Sequence, residues 1–157
     1  MKFLFLLLFL LFGQNLLAKK EYSWKCVNSE VSKIYYNIYI NKWFRETTSE
    51  LDVLKISIDQ IVDKVEIRFR NVSDSVVYWA LDDLEYYKLF EKGRLRKLQN
   101  DIDVTSLMYQ VEVNECSKIP FYLRCMDSTG MYLVRIKMKV SDYIKYYIDV
   151  YLERIEE

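Results

Sequence analysis

Alternation of apolar and polar side chains is the feature that most constrains how this sequence can fold. Val65, Ile67 and Phe69 alternate with charged residues, and the same period recurs along the chain. A period of two is typical of β-strands that bury one face. It is found in segments 34–40, 54–58, 64–70, 107–113, 136–140 and 144–150. A count of about seven or eight strands predicts an all-β, immunoglobulin-like antiparallel sandwich of two sheets.

Two hairpins follow from the rule that a strand shifted by one residue would turn its apolar face to water. A loop at 141–143 places Met138 opposite Tyr146 and has a common hairpin length. A loop at 71–75 would place Ile67 opposite Trp79 in the same way. We therefore predict both hairpins, with Asn71 at an exposed loop tip.

The segment 82–103 lacks a clean period. Its leucines, lysines and glutamates favour a helix by intrinsic propensity, but Gly93 interrupts the pattern. We expect a loop here, with short helical or strand pieces.

The first 18 residues have the features of a secretory signal peptide: a basic start at Lys2, an apolar run over 3–12 and a small residue, Ala18. A membrane-spanning helix needs about 20 apolar residues, so an uncleaved anchor is the less favoured alternative. We predict one domain over 19–157, secreted to the extracellular space or the endolysosomal lumen. Only Lys2 of the 23 basic side chains is lost, which leaves a formal charge of −1 and argues against a nucleic-acid partner.

Secretion permits two covalent modifications. Cys116 and Cys125 are close in sequence and are the natural disulfide pair, which leaves Cys26 either buried or in an intermolecular disulfide. Asn71-Val72-Ser73 is an N-glycosylation acceptor. We therefore expect a Cys116–Cys125 disulfide and a glycan on Asn71.

The residue types needed for most catalysis are missing. The chain has no histidine, which removes the commonest general base, nucleophile activator and zinc ligand. It also has no glycine-rich phosphate loop. The densest acidic cluster, Asp82, Asp83 and Glu85, is typical of a solvated loop. We predict a protein that is not an enzyme and that holds no metal or cofactor.

A run of basic residues has two interpretations. It is either a solvated loop or a site for an anionic head group at the mouth of an apolar cavity. The residues concerned are Lys92, Arg94, Arg96 and Lys97.

Three features together resemble the ML lipid-recognition superfamily, which includes the Toll-receptor endotoxin co-receptor, the Niemann–Pick type C sterol carrier and the ganglioside activator protein. They are the aromatic-rich start 22–26, which ends in a cysteine, the short loop between Cys116 and Cys125, and the Gly130-x-Tyr132 strand followed by a final strand at 146–152.

The sequence also departs from the superfamily. Asn37 and Tyr147 lie where members often have a bonded cysteine pair, and the gap from Cys125 to Gly130 is short. Residues 41–105 match poorly.

The resemblance implies a non-enzymatic protein that holds a lipid, fatty acid or sterol between its two sheets, and a cell-surface receptor is a further expected partner. The same inward-facing positions would otherwise form an ordinary packed core. The cavity candidates are Tyr36, Ile38, Ile56, Ile67, Phe69, Trp79, Tyr109, Val111, Ile136, Met138 and Ile148.

The main rival is a secreted immunoglobulin-like module with a filled core that binds protein or modulates immunity. Cys26 and Trp43 are superficially similar to such a domain. The tyrosine expected two residues before the second cysteine is absent, because Asn114 precedes Cys116 and Leu123 precedes Cys125.

Overall fold

The computed structural model describes residues 21–99 and 107–157, and most of them lie in β-strands. The ten strands are β1 Tyr22–Asn37, β2 Lys42–Thr47, β3 Leu51–Asp59, β4 Lys64–Asn71, β5 Val77–Leu89, β6 Leu95–Lys97, β7 Met108–Val111, β8 Cys116–Tyr122, β9 Gly130–Lys139 and β10 Ile144–Glu156. Within the described ranges, no helix has the length and apolar character needed to cross a membrane. The predicted signal peptide, 1–18, lies outside the described residues.

The strands form two antiparallel sheets. The larger has seven strands in the order β2-β1-β10-β9-β5-β6, with β7 also paired to β5, and the smaller has the order β3-β4-β8. This confirms the predicted all-β, antiparallel sandwich, with ten strands in place of seven or eight. The strand order differs from that of an immunoglobulin constant domain, in which four strands pack on three.

The core lies between the sheets, where the alternation predicts it. Val65, Ile67 and Phe69 of β4 are fully buried, while Arg68 and Arg70 between them are exposed. Because successive side chains of a strand point to opposite faces, this one pattern both forms β4 and fixes its inner face.

The predicted C-terminal hairpin is confirmed. Met138 pairs with Tyr146 across β9 and β10. Val140 N–H donates to the Ile144 carbonyl at 3.1 Å, which closes the loop at 141–143.

The second predicted hairpin is wrong. Ile67 pairs with Ile56 and Ile119 inside the small sheet, whereas Trp79 lies on β5 in the large sheet. The segment 72–76 therefore crosses from one sheet to the other. Asn71, predicted at an exposed tip, is fully buried at the end of β4.

The described part of the ambiguous segment, residues 82–99, is mostly β-strand. Residues 82–89 continue β5 and 95–97 form β6, with one 3-10 turn at Glu91–Gly93 between them. Lys92 and Gly93 both have positive φ, 63° and 72°, which makes this the tight turn that Gly93 favours. Tertiary pairing of β5 with β9 overrides the helical propensity of the segment. Residues 100–103 lie outside the described residues.

The predicted disulfide is absent: none of Cys26, Cys116 and Cys125 is disulfide-bonded in the structure. Cys116 begins β8, and Cys125 follows the other end of that strand. At about 3.3 Å per residue, β8 holds the two far beyond the roughly 4.4–6.8 Å between Cα atoms that a disulfide requires. The only proline, Pro120, lies within β8, where an edge strand tolerates it.

Candidate functional site

Most of the predicted cavity residues form a packed core. Their exposed fractions lie between 0% and 3%, and they belong to one cluster of buried side chains from both sheets. These residues are Ile67, Phe69, Trp79, Val111, Ile136, Met138 and Ile148. Ile56 is partly buried against the same cluster. A lipid between the sheets would have to displace these packed side chains.

Three of the predicted cavity residues lie elsewhere. Ile38 is exposed in the turn between β1 and β2, Tyr109 is exposed on β7, and Tyr36 is partly exposed at the end of β1. None of the eleven candidates lines the clefts formed around Glu85, Ile61, Phe90 and Arg124 on the described surface.

The predicted head-group residues lie on the exposed β5–β6 hairpin, away from the predicted cavity residues. Arg94 and Arg96 lie over the ring of Phe90, 5.7 Å and 5.8 Å from its centroid. Lys97 forms an ion pair with Glu85 at 2.7 Å. Lys92 lies in the β5–β6 turn and lines a shallow surface cleft with Phe90. The structure therefore brings these cations to one exposed hairpin, beside an aromatic ring.

The acidic cluster lines an open cleft of about 460 Å³. Burial raises the pKa of Glu85, but hydrogen bonds from Lys137, Lys97 and Tyr87 outweigh it and lower the pKa to about 2. Burial and the neighbouring Asp82 raise the pKa of Asp83. A carboxylate held ionised by two lysines is a poor proton donor near neutral pH. Within residues 21–99 and 107–157, no group of three or more His, Cys, Asp or Glu side chains could hold a metal ion.

A buried ionic cluster crosses the outer face of the large sheet. Asp149 on β10 is fully buried and accepts from Arg135 at 2.7 Å and 2.8 Å and from Arg45 at 2.8 Å. The Arg135 guanidinium lies 5.1 Å from the ring centroid of Tyr147. A fully paired carboxylate that joins β2, β9 and β10 has a structural role, because breaking such a pair leaves an uncompensated buried charge.

Three consecutive exposed apolar residues lie at the β1–β2 turn. Ile38, Tyr39 and Ile40 are 64%, 92% and 53% exposed, and Trp43 and Tyr143 beside them are also exposed. We call this set, together with Tyr36, the aromatic tip. Contiguous exposed apolar surface of this kind marks interaction sites in soluble proteins.

Hydrogen bonds and ring contacts hold the aromatic tip in shape. The Tyr36 ring packs against Trp43 and Tyr143 at centroid distances of 5.2 Å and 6.0 Å. Tyr36 N–H donates to the Tyr143 carbonyl at 2.9 Å, which ties the β1–β2 turn to the β9–β10 loop. Inside the turn, Asn37 Oδ1 accepts from Tyr39 N–H at 3.0 Å. These contacts therefore attach the exposed turn to the ends of β1 and β2 and to the β9–β10 loop.

The local sequence explains the turn. Asn41 has φ of 54°, a left-handed conformation that asparagine tolerates better than most residues. Asn37 and Asn41 bracket the apolar triplet 38–40, and asparagine is a turn former. Alternation runs on through Ile38 and Ile40 as if the strand continued, so the sequence reasoning placed Ile38 in the interior. The two asparagines were the signal that could have identified the turn.

The comparisons with known proteins add no identification. No model of a known protein family matches the sequence, and no curated protein matches it. Among solved structures, the chain is similar to envelope protein VP37 from White Spot Syndrome Virus, at 9% identity and a TM-score of 0.26. That alignment covers 85% of this chain and 98% of the viral chain, and a TM-score this low carries no argument. The resemblance to the ML superfamily stays a prediction.

Proposed function

We propose that this chain is a secreted, non-enzymatic module that binds a partner protein through the aromatic tip. The packing of the predicted cavity residues into a core favours this function over lipid storage between the sheets. The single observation that carries it is the ordered, exposed cluster of Tyr36, Ile38–Ile40, Trp43 and Tyr143.

The chemistry of the aromatic tip fits a protein surface. Tyrosine and tryptophan are enriched among the residues that dominate binding energy at protein interfaces. A rigid aromatic group loses little conformational entropy on binding, and Tyr36 is already packed between two other rings. Asn37, Asn41 and Asp142 supply a polar rim. The balanced charge of the mature chain makes an anionic membrane a weaker candidate.

Secretion is part of the proposal and is supported by the basic start, apolar run and small residue of 1–18. Chain secreted by eukaryotic cells should begin near Lys19. Intact mass that retains 1–18 would contradict this part of the proposal, while leaving the binding surface to be tested separately.

A tip-directed variant tests the binding surface. The full chain, made in secretory cells and fluorescently labelled, is applied to intact cells and to cells whose surface proteins were removed by protease. We expect saturable binding that protease removes and that Ile38→Ser/Tyr39→Ser abolishes. The matched control is Ile61→Ser/Val62→Ser, because these residues form an equally exposed apolar turn at the opposite end of the sandwich.

Three results would contradict the proposal. The first is that Ile38→Ser/Tyr39→Ser binds cells as the unmodified chain does. The second is that Ile61→Ser/Val62→Ser abolishes binding instead. The third is that the chain also binds lipid vesicles that contain no protein. A parallel measurement of fluorescent fatty acid or sterol uptake tests the lipid prediction. Stoichiometric uptake that Ile38→Ser/Tyr39→Ser leaves intact would favour a ligand between the sheets.

A further inference from the structure

The free edge of β2 is the least protected sheet edge in the described part of the chain. All of its residues are exposed, and β1 lies on one side only. An edge strand presents unpaired backbone N–H and C=O groups that can template pairing with another strand. We propose that β2 pairs antiparallel with β2 of a second copy of this chain, with Phe44 on the two-fold axis.

The other described edge strands are short, contain a proline or have a register shift, and β2 has none of these three protections, although it does carry charged side chains. Edge strands β6 and β7 are three and four residues long. Edge strand β8 contains Pro120, and β3 has a register shift between Val53 and Lys55. Short edges, proline and bulges are the usual protections. Strand β2 pairs with β1 over six residues with no shift and no proline.

Two backbone hydrogen bonds determine which groups of β2 face outward. The Val31 carbonyl accepts from Thr48 N–H on the β2 side, whereas Tyr36 N–H donates to Tyr143 on the opposite side. Backbone groups alternate sides along a strand, so odd-numbered residues of β1 face β2. Their partners Lys42, Phe44 and Glu46 therefore face β1.

The backbone groups of Trp43 and Arg45 consequently point to the open edge. In an antiparallel pair, opposite residues are either both hydrogen-bonded or both not. Two copies of β2 can therefore pair only in a series of registers in which each is shifted by two residues from the next. Two of these registers overlap five residues of β2, the one with Phe44 opposite its copy and the one with Arg45 opposite its copy.

Side-chain complementarity favours the same register. Lys42 lies opposite Glu46 of the second copy, so this register forms two opposite-charge pairs. Phe44 meets its copy as an aromatic pair. A shift of two residues in either direction would place Glu46 or Lys42 opposite Phe44 and would lose both opposite-charge pairs. The strand is thus complementary to itself in one register.

The pairing would join two seven-stranded sheets into one and leave the turn 38–40 uncovered. Trp43 belongs both to the aromatic tip and to this edge, whereas Ile38 and Tyr39 lie in the turn outside β2. The Ile38→Ser/Tyr39→Ser variant should lose tip binding and keep the dimer, so failure of one proposal is distinguishable from failure of the other.

Charge reversal with rescue tests the interface. Sedimentation velocity of the mature full chain over a concentration series should show a monomer–dimer equilibrium. We expect Glu46→Lys or Lys42→Glu to raise the dissociation constant at least tenfold, because each places like charges opposite. The double variant Lys42→Glu/Glu46→Lys should restore dimerisation. Lys118→Glu, on the edge of the small sheet, is the control and should change nothing.

A cysteine trap provides a second measurement if the charge variants fold poorly. Opposite residues at a non-hydrogen-bonded antiparallel position have Cα atoms about 4.5 Å apart, within disulfide range. Phe44→Cys should form a reducible dimer under mild oxidation, and Thr47→Cys should not. A wild-type chain that stays monomeric at its highest soluble concentration overturns the proposal. So does a dimer unaffected by all of these substitutions.

Discussion

Asn71 provides the sharpest test of the fold, because its buried side chain ties β4 to two segments that connect the sheets. Its Nδ2 donates to the Ser75 carbonyl at 2.8 Å and to the Val111 carbonyl at 3.1 Å. Its Oδ1 accepts from Ser73 N–H at 3.1 Å and from Ser73 Oγ at 2.6 Å. The amide therefore holds the 72–76 crossover and the end of β7 against the end of β4.

The expected cost of Asn71→Ala follows from these four hydrogen bonds. Each contributes about 1 kcal/mol net, which gives a loss of about 4 kcal/mol in the free energy of unfolding. A domain of this size unfolds with an entropy of about 0.3 kcal/mol/K, so the Tm should fall by about 14 °C. Typical domains have only about 5–15 kcal/mol of stability, so the variant will be close to unfolding at physiological temperature.

Chemical denaturation monitored by tryptophan fluorescence measures the loss. The control is Asn37→Ala, which removes one described side-chain hydrogen bond, to Tyr39 N–H, in an exposed turn and should cost under about 1 kcal/mol. If Asn71→Ala cost no more than Asn37→Ala, the buried network would not exist.

The same hydrogen bonds bear on the predicted glycan. A glycan on Nδ2 would replace one of its two hydrogens and would require space where Asn71 is fully buried. Folded, secreted chain should therefore carry no glycan at this position. Mass loss of the folded protein on enzymatic deglycosylation would contradict the burial.

Three further predictions test other parts of the structure. Non-reducing peptide mapping should find no Cys116–Cys125 disulfide, because β8 separates the two; recovery of that linked peptide would show the strand to be wrong. The pKa of Glu85 falls from 4.5 to about 2 on folding, so its stabilisation is present above pH 4.5 and lost towards pH 2. Stability of Glu85→Gln should depend less on pH in that window; an unchanged dependence would exclude its ion pairs. Asp149→Asn should cost about 1–3 kcal/mol in urea denaturation, because it removes the carboxylate that pairs with Arg135 and Arg45, whose side chains are 17% and 41% exposed; an unchanged stability would contradict the ion-pair cluster.

The strands were predictable because their signal is local. The alternation in 64–70 identifies β4 and its inner face with no knowledge of the partner strands. The C-terminal hairpin was equally accessible, since the length of its loop and the facing of Met138 and Tyr146 leave one register. In both cases the residues that carry the pattern are the residues that form the strand or the hairpin, so no distant part of the sequence is needed.

The assignment of strands to sheets was not predictable in this way. Phe69 and Trp79 both face the core, but from opposite sheets. The rule that apolar positions must face apolar positions is satisfied across the core of a sandwich as well as within one sheet. The 71–75 segment therefore looked like a hairpin loop, although it is a crossover.

The disulfide prediction failed for a different reason. The prediction rested on the short separation of Cys116 and Cys125 in sequence and treated the residues between them, which include Pro120, as a loop whose ends can meet. An edge strand also tolerates proline, and β8 is such an edge. Proximity in sequence says nothing about proximity in space once the intervening residues are extended.

Function was the least accessible part, and the reason is physical. A lipid cavity and a packed core require the same alternating apolar pattern, and they differ only in whether side-chain volume fills the space between the sheets. That volume depends on the separation of the sheets, which no single strand encodes. An exposed binding turn, in contrast, appears as apolar residues where the strand pattern should end. The residues 38–40 between Asn37 and Asn41 are apolar residues of this kind, and the proposal that they bind a partner therefore has a local sequence signal, which the lipid prediction lacks.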